Sequence, residues 1–314
     1  MKPAALPTMR TRSAGVKARR TLSLYGWLYV FILPGVVLLF LFSYVPMLGV
    51  QIAFKDFVIW KGMWASPWAG LKYFYFLGDS IFWQSFANTV AITGLRFFFG
   101  FPAPILLALM LNEVRSNSYK RVIQSLSYLP HFISWIVVSY ILYTFLQMDT
   151  GPLNMLMQSL GFDQVNFMGT PKYFRPIVII SAIWKEIGWG TIIYLAALSA
   201  IDPQLYEAAM LDGAGRFRRI FSINIPGIAP TISILLILSL PGLLTAGYDQ
   251  IYPLVNPTNL GVSNVLDVYL IRLGLTQAQY SVATAIGLVL AVVNISIVLG
   301  SNWFAKRIGQ TGFW

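Results

Sequence analysis

Three ionisable side chains sit where a sequence rarely tolerates them. Arg96, Lys185 and Glu186 fall inside long apolar stretches, with Trp184 and Trp189 beside the second pair. A charge in such a setting is costly, and it faces a cavity or a partner. Counted inward from Phe86 and Pro176, where their stretches begin, all three lie about ten residues deep. At ~1.5 Å per helical residue that is roughly 15 Å, the middle of a hydrocarbon layer about 30 Å thick. Aromatic faces pack on the C–H surfaces of sugar rings and charged groups hydrogen-bond hydroxyls, so a cavity lined this way suits a saccharide. Two basic groups also suit uronate carboxylates. The competing reading is an ion pair, for instance Arg96 with Glu186, that only joins helices. Tyr248 and Asp249 follow the fifth apolar stretch, whose Pro241-Gly242 pair is placed to kink or interrupt it. Broken helices occur along substrate routes, so these two residues join the pathway candidates, with simple helix packing as the alternative. His131, the one histidine, follows Pro130 near the inner end of the third stretch and is expected to be a hydrogen-bonded structural residue.

The elements that must position these groups follow from composition. Of 314 residues, 57% are hydrophobic and 11% charged, against about 25% charged in a soluble domain; the mean hydropathy is +0.68. Six apolar stretches reach spanning length, at about 28–50, 86–111, 126–147, 176–199, 227–247 and 282–304. Inside lipid the backbone must satisfy its own hydrogen bonds, so these are expected to be transmembrane helices and the fold class all-α. The first stretch is too long for a signal-peptide core and is read as a retained helix behind a basic tail, residues 1–24. The membrane-spanning body is then 25–314. An even number of spans puts both ends on one side. The tail and the segments 115–121, 216–219 and 306–307 hold fourteen of the 22 Lys and Arg residues, and the opposite loops hold six. The positive-inside rule therefore places both termini in the cytoplasm. That topology also accounts for most of the net charge of +11 without nucleic acid. With no cysteine and one histidine, neither a thiolate nor a histidine metal site is expected.

The loop between the fourth and fifth stretches, residues 202–226, has marked ends. Asp202 is a good N-cap, Pro203 suits the first helical position, and Gly213 can take the left-handed turn that ends a helix. Leu205, Ala208, Ala209 and Leu211 give a small apolar face, with Glu207 and Asp212 supplying charge. A second short helix is expected from Arg216 to Phe221, with Pro226 at the start of the fifth span.

Here the spacing becomes specific. Glu207-Ala208-Ala209, then Gly213, then Ile223, then Ile225-Pro226 resembles the EAA loop of binding-protein-dependent ABC importer permeases, whose pattern ends Leu-Pro rather than Ile-Pro. The resemblance implies a type I ABC importer permease fold in which this cytoplasmic coupling-helix loop, with Glu207, Ala208, Ala209, Asp212, Gly213, Arg216 and Arg218, docks into a cleft of a separate ATPase. An ordinary amphipathic surface helix is the alternative for a lone Glu-Ala-Ala. Ala53-Phe-Lys-Asp-Phe57, Gly70-Leu-Lys-Tyr-Phe74, Phe99-Gly-Phe-Pro-Ala-Pro104, Ser127-Tyr-Leu-Pro-His-Phe132, Trp184-Lys-Glu-Ile-Gly-Trp189 and Tyr248-Asp-Gln-Ile-Tyr252 further resemble the LplB-like polysaccharide branch of the MalF-like sugar permeases. That branch includes permeases for pectin fragments and alginate.

What the resemblance implies is a non-catalytic subunit in a bacterial inner membrane. Its partners would be an ABC ATPase dimer, a second permease subunit, an extracytoplasmic solute-binding protein, a saccharide and lipid. The sequence contains no Gly-x-x-x-x-Gly-Lys-Ser/Thr, so ATP and Mg²⁺ are expected on the partner ATPase and no cofactor on this chain. An ion-coupled secondary transporter would explain intramembrane charge but not the loop spacing. A membrane enzyme of polysaccharide synthesis would need larger cytoplasmic loops.

Overall fold

The computed structural model describes residues 14–307, and the basic tail before residue 14 lies outside the described residues. Among them the chain is almost wholly helical, with one isolated bridge, Lys55 to Trp68, as its only β pairing. Five helical runs are long and apolar enough to cross a membrane: Tyr25–Phe54, Ser80–Asn112, Pro171–Ser199, Arg216–Leu244 and Tyr280–Trp303. Their lipid-length stretches and their exposed Leu, Ile, Val and Phe side chains fit a hydrocarbon solvent.

The first run opens with α1 (Ala14–Leu39) and continues through a π segment, Phe40–Tyr44, to a 3₁₀ end, Leu48–Phe54. No residue of its apolar window is buried; it meets the rest of the chain through its 3₁₀ end, where Ala53 enters the core. The second run is α2 (Ser80–Gly100) and α3 (Pro102–Asn112), continuous through Phe101, which keeps helical angles. Pro102 sits at the first position of α3, where its missing N–H costs least.

Over the third expected span, 126–147, the helix is bent rather than straight. The chain instead forms α4 (Asn117–Tyr128), a 3₁₀ turn over Leu129–Phe132 and α5 (Trp135–Phe145), and the pair is bent by 102°. Pro130 cannot donate a backbone hydrogen bond, and Ser134 leaves helical angles to cap α5 by accepting from the Val137 N–H. With 11 residues, α5 is roughly 16 Å long and too short to cross alone. The molecule thus has five spans, or six if the bent pair counts as one.

The fourth run, α6 (Pro171–Ser199), is the central post. A Cβ at Gly188 would lie 2.1 Å from the Ser127 carbonyl oxygen of α4, and one at Gly190 2.9 Å from Pro104 of α3. Glycine at these positions lets the backbones cross closely. The loop that follows contains α7 (Pro203–Leu211) and α8 (Arg216–Arg219), then a π segment, Ile220–Asn224, and α9 (Ile225–Ser239). The expected short helix from Arg216 and the fifth span are joined: one helical run extends from Arg216 to Leu244. A proline removes an N–H and crowds the carbonyl four residues back, here Ser222. The wide π turn lies at that point, as the first run's π segment does before Pro46. Over Pro241-Gly242 the run tightens to 3₁₀, Leu240–Leu244, and stops.

From Thr245 to Gln279 the chain folds back as short turns before α10 (Tyr280–Arg307) closes the bundle. A polar stripe on α2, spaced three or four residues apart, holds this return. Ser85 accepts from the Asn264 amide, Asn88 donates to the Gly261 carbonyl, Thr89 accepts from the Leu266 N–H and Thr93 donates to the Leu243 carbonyl.

Candidate functional site

A cavity of about 370 Å³ opens where α2, α3 and α6 face the end of the fifth run. Phe97, Phe101, Ile183, Ile187 and Leu243 make most of its wall, and Arg96 and Glu186 are its two charged groups. Arg96 Nη2 donates to Gln250 Oε1 at 2.6 Å. Gln250 is 2% exposed and its own amide donates to the Val178 carbonyl at 2.7 Å and to Ser181 Oγ at 2.9 Å. Every hydrogen-bonding capacity that holds Gln250 in place is thus used, and the glutamine fixes the arginine. Arg96 Nε is buried with no partner. Asp267 adds electrostatic attraction from behind, while its Oδ2 accepts from the Gly247 N–H at 2.9 Å. Gly247 takes φ +91°, and a Cβ there would stand 3.7 Å from Arg96 Nη1. The turn that ends the fifth run therefore lies beside the arginine.

Glu186 does not form an ion pair with Arg96; among the described residues its partners are His131 Nδ1 at 2.8 Å and Lys185 Nζ at 3.6 Å. The Lys185 side chain, expected to face the pathway, turns away from the cavity. It is 6% exposed, donates to the His131 carbonyl and lies 5.4 Å from the centre of the Trp135 ring. Burial in α6 orients it toward the α4–α5 bend, where a carbonyl and an aromatic face satisfy the ammonium. His131 is not at the inner end of a span, because there is no straight third span. It stands level with Glu186 and stacks on Trp189, ring centres 4.4 Å apart. Trp184 and Trp189 are half exposed and line no part of the cavity. Tyr248 stacks on Tyr252 and Asp249 is exposed, so neither reaches the cavity wall.

The residues that sequence reasoning did not connect are Asp267 and the pair His131–Glu186. Asp267 carried a readable signal, a lone acid in the apolar run 262–271. The His131 contact depends on the 102° bend and carried none.

The loop is built locally. The Asp202 carboxylate accepts from the Gln204 N–H at 2.9 Å. At the other end Gly213, φ +73°, donates to the Met210 carbonyl, and the Ala214 N–H reaches the Ala209 carbonyl at 2.8 Å. This is the paired bonding of a Schellman end, which needs the left-handed residue. Two contacts seat the loop on the bundle: Tyr206 donates to Asn224 Oδ1 at 2.6 Å, and Arg219 lies 3.7 Å from Glu113 at the end of α3. Burial pushes the Tyr206 phenol up from its ordinary pKa, so it remains a donor. Glu207, Ala208, Asp212, Gly213, Arg216 and Arg218 are exposed and Ala209 half-buried. Leu211 is 90% and Phe217 79% exposed, an apolar surface at a terminus of the bundle that none of the described residues covers.

Residues 100–310 match the family described as binding-protein-dependent transport system inner membrane component. The chain is 44% identical over 303 residues to protein LplB of Bacillus subtilis (strain 168), covering 96% of this chain and 95% of that one. It is 43% identical over 289 residues to the polygalacturonan/rhamnogalacturonan transport system permease protein YteP of the same organism, covering 92% and 90%. A solved bacterial alginate ABC transporter, in complex with an alginate pentasaccharide-bound periplasmic protein, contains a chain that superposes with a TM-score of 0.86 at 41% identity, covering 93% of this chain and 98% of that one.

Proposed function

This chain belongs to the family of binding-protein-dependent transport system inner membrane components, and from that premise we propose how it works and what it carries. It is a multi-pass permease subunit of an ABC importer. Its cargo is a saccharide, with acidic oligosaccharides such as pectin or alginate fragments the favoured class. The likeness to YteP and to the alginate transporter supports that choice. So does a cavity whose guanidinium is anchored from behind and directed at a mostly apolar space.

The single observation that carries the mechanism is the loop at 202–226. Its helix α7 is capped at both ends and exposes Glu207 and Leu211, and after the Gly213 turn its second half, from Arg216, begins the run that ends on the cavity. In our reading the loop lies in the cytoplasm and docks on a separate ATPase dimer through Glu207, Ala208, Ala209, Asp212, Gly213, Arg216 and Arg218. ATP and Mg²⁺ sit on that ATPase, because this chain has no phosphate-cradling motif. Closure of the ATPase pushes the loop, the fifth run tilts, and the side to which the cavity opens changes. A loaded solute-binding protein on the outer side, and a second permease subunit completing the pathway, are the other partners. The binding protein must hold the outward-open state more tightly than the other, or it shifts nothing. Both termini are cytoplasmic in this reading, with the basic segments inside.

The test is ATPase stimulation of the reconstituted complex by a panel of loaded binding proteins. Stimulation by acidic oligosaccharides and not by neutral ones supports the cargo assignment. Indifference to cargo charge would remove it. Normal uptake by a Glu207→Lys variant would remove the loop assignment.

A further inference from the structure

At the end of the molecule opposite the 202–226 loop, the segments that precede α2 and α10 enclose a second hollow of about 270 Å³. Tyr75, Asp79, Tyr269, Arg272, Gln277 and Gln279 supply its polar groups, and it shares no lining residue with the cavity at Arg96.

Three features converge there. The first is Arg272. The ion pairs among the described residues all involve other groups, Arg272 Nε is buried with no hydrogen-bond partner, and the guanidinium carbon lies 5.8 Å from the centre of the Tyr269 ring. A guanidinium in this condition presents a planar donor fork that matches a carboxylate. The second is that the local acid is already occupied. Asp79 Oδ1 accepts from the Ile81 N–H at 2.9 Å and Oδ2 from the Tyr269 hydroxyl at 3.3 Å, and no ion pair joins it to Arg272 among the described residues. The third is the backbone. Arg272–Thr276 is a π-helix, and the turn after it holds Ala278 at φ +53°, the one non-glycine residue with positive φ among those described. Gln277 N–H donates to the Arg272 carbonyl and Gln279 N–H to the Leu273 carbonyl, both at 2.9 Å. Wide turns and left-handed non-glycine backbone concentrate at functional sites. Here they place two amide side chains, each both donor and acceptor, around the same hollow as the unpaired arginine.

We propose that this hollow is a carboxylate-binding site, in which Arg272 takes the carboxylate and Gln277 and Gln279 take neighbouring hydroxyl or amide groups. Its volume falls just below the ~300–1,000 Å³ of drug-sized pockets, which suits one acidic sugar ring or one acidic side chain. The carboxylate therefore has two sources, a uronate or an acidic residue of a docked solute-binding protein.

The experiment uses the full chain purified with its co-expressed partners and ligand-observed NMR with galacturonate, galactose serving as the neutral control. A uronate source predicts galacturonate binding at least about tenfold stronger than galactose binding. That preference falls about tenfold in Arg272→Gln and falls less in Arg272→Lys. A side-chain source predicts no galacturonate preference, but about tenfold weaker docking of the binding protein to Arg272→Gln, with the difference shrinking at high salt. Either pattern supports the site. Equal galacturonate binding and equal docking in wild type and Arg272→Gln, with Arg272→Lys confirming a folded chain, would overturn it. The docking arm rests on the importer reading and the galacturonate arm does not, so failure of one is separable from failure of the other.

Discussion

The loop at 202–226 and the cavity at Arg96 both present charge, but they are held together over different distances along the chain. The loop's defining bonds join residues two to five positions apart: Asp202 to Gln204, Met210 to Gly213, Ala209 to Ala214. The cavity's join residues 154 apart (Arg96 to Gln250) and 72 apart (Gln250 to Val178). A unit with local bonds keeps its shape when pushed. A unit with non-local bonds changes shape when any of its segments moves. The two are joined by one rigid element, the run Arg216–Leu244 of 29 residues, roughly 43 Å long at ~1.5 Å per residue. Its lower end is pinned by Tyr206–Asn224 and Arg219–Glu113, and its upper end contributes Ser239, Gly242 and Leu243 to the cavity wall. Coupling between sites requires a shared element with two arrangements, and this run is the element that both regions contain.

The comparison breaks most completely at Gln250. Gln250→Leu removes the anchor of Arg96 and strands a guanidinium beside an apolar wall. The expected cost is about 2–3 kcal/mol of stability, with uptake lost, while the loop keeps its shape. Thermal unfolding of the purified complex, together with uptake, checks this. A Gln250→Leu protein that unfolds like wild type would mean that the cavity is not held by its long-range bonds. The opposite pattern is expected of Glu207→Lys: stability within about 0.5 kcal/mol of wild type, since an exposed side chain carries no packing, and uptake reduced at least about tenfold. Insertion measured beside uptake separates the two variants.

A third comparison sharpens the cavity itself. Cysteine at Arg96 or Thr245 is expected to react with a soluble thiol reagent in at least one nucleotide state. Cysteine at Lys185, whose side chain packs between His131 and Trp135, is expected to react at least about tenfold more slowly, as buried thiols do. Equal labelling at Arg96 and Lys185 would restore the wider pathway that sequence alone suggested.

That contrast shows what was legible and why. The loop could be read from residue types because capping and a left-handed glycine are properties of neighbours in sequence. Five spans were readable as apolar length. The bend in the third was not readable, because Pro130 and Ser134 divide an apolar stretch into two short helices and length alone does not register a bend. Arg96 and Glu186 were found by depth, but depth does not give rotation about a helix axis. Lys185 pairs with Glu186 but does not line the cavity, and the Arg96–Gln250 bond needs the return segment to fold onto α2 before it exists.

Long-range polar bonds also give the end opposite the 202–226 loop a pH signature. Burial, with Asp79 nearby as the second cause, pushes the Tyr269 phenol up to about 12 from an ordinary 10.0. The neutral phenol is therefore the form the fold prefers. Its contribution is fully present below pH 10 and is lost as pH rises through about 12. Tyr269→Phe is expected to flatten the loss of stability in that window relative to wild type, measured by unfolding at stepped alkaline pH. A wild-type profile with the same slope as the variant would show that burial does not hold the Tyr269 phenol neutral.

The smallest effect tests the claim that the loop's order is local. Asp202→Ala removes the acceptor for the Gln204 N–H and is expected to cost about 1 kcal/mol. Gly213→Ala places a Cβ at φ +73° with no neighbour within 4 Å, so its cost is backbone strain alone, again about 1 kcal/mol. The two ends of α7 share no side-chain partner, so the double variant should cost the sum within about 0.5 kcal/mol. Amide exchange across 203–211 should quicken in both variants while exchange around Arg96 and Gln250 stays at the wild-type rate. If loosening the loop instead loosened the cavity at equilibrium, the run Arg216–Leu244 would be transmitting disorder as well as displacement. The loop would then be part of one cooperative unit with the cavity rather than a separately folded handle on it.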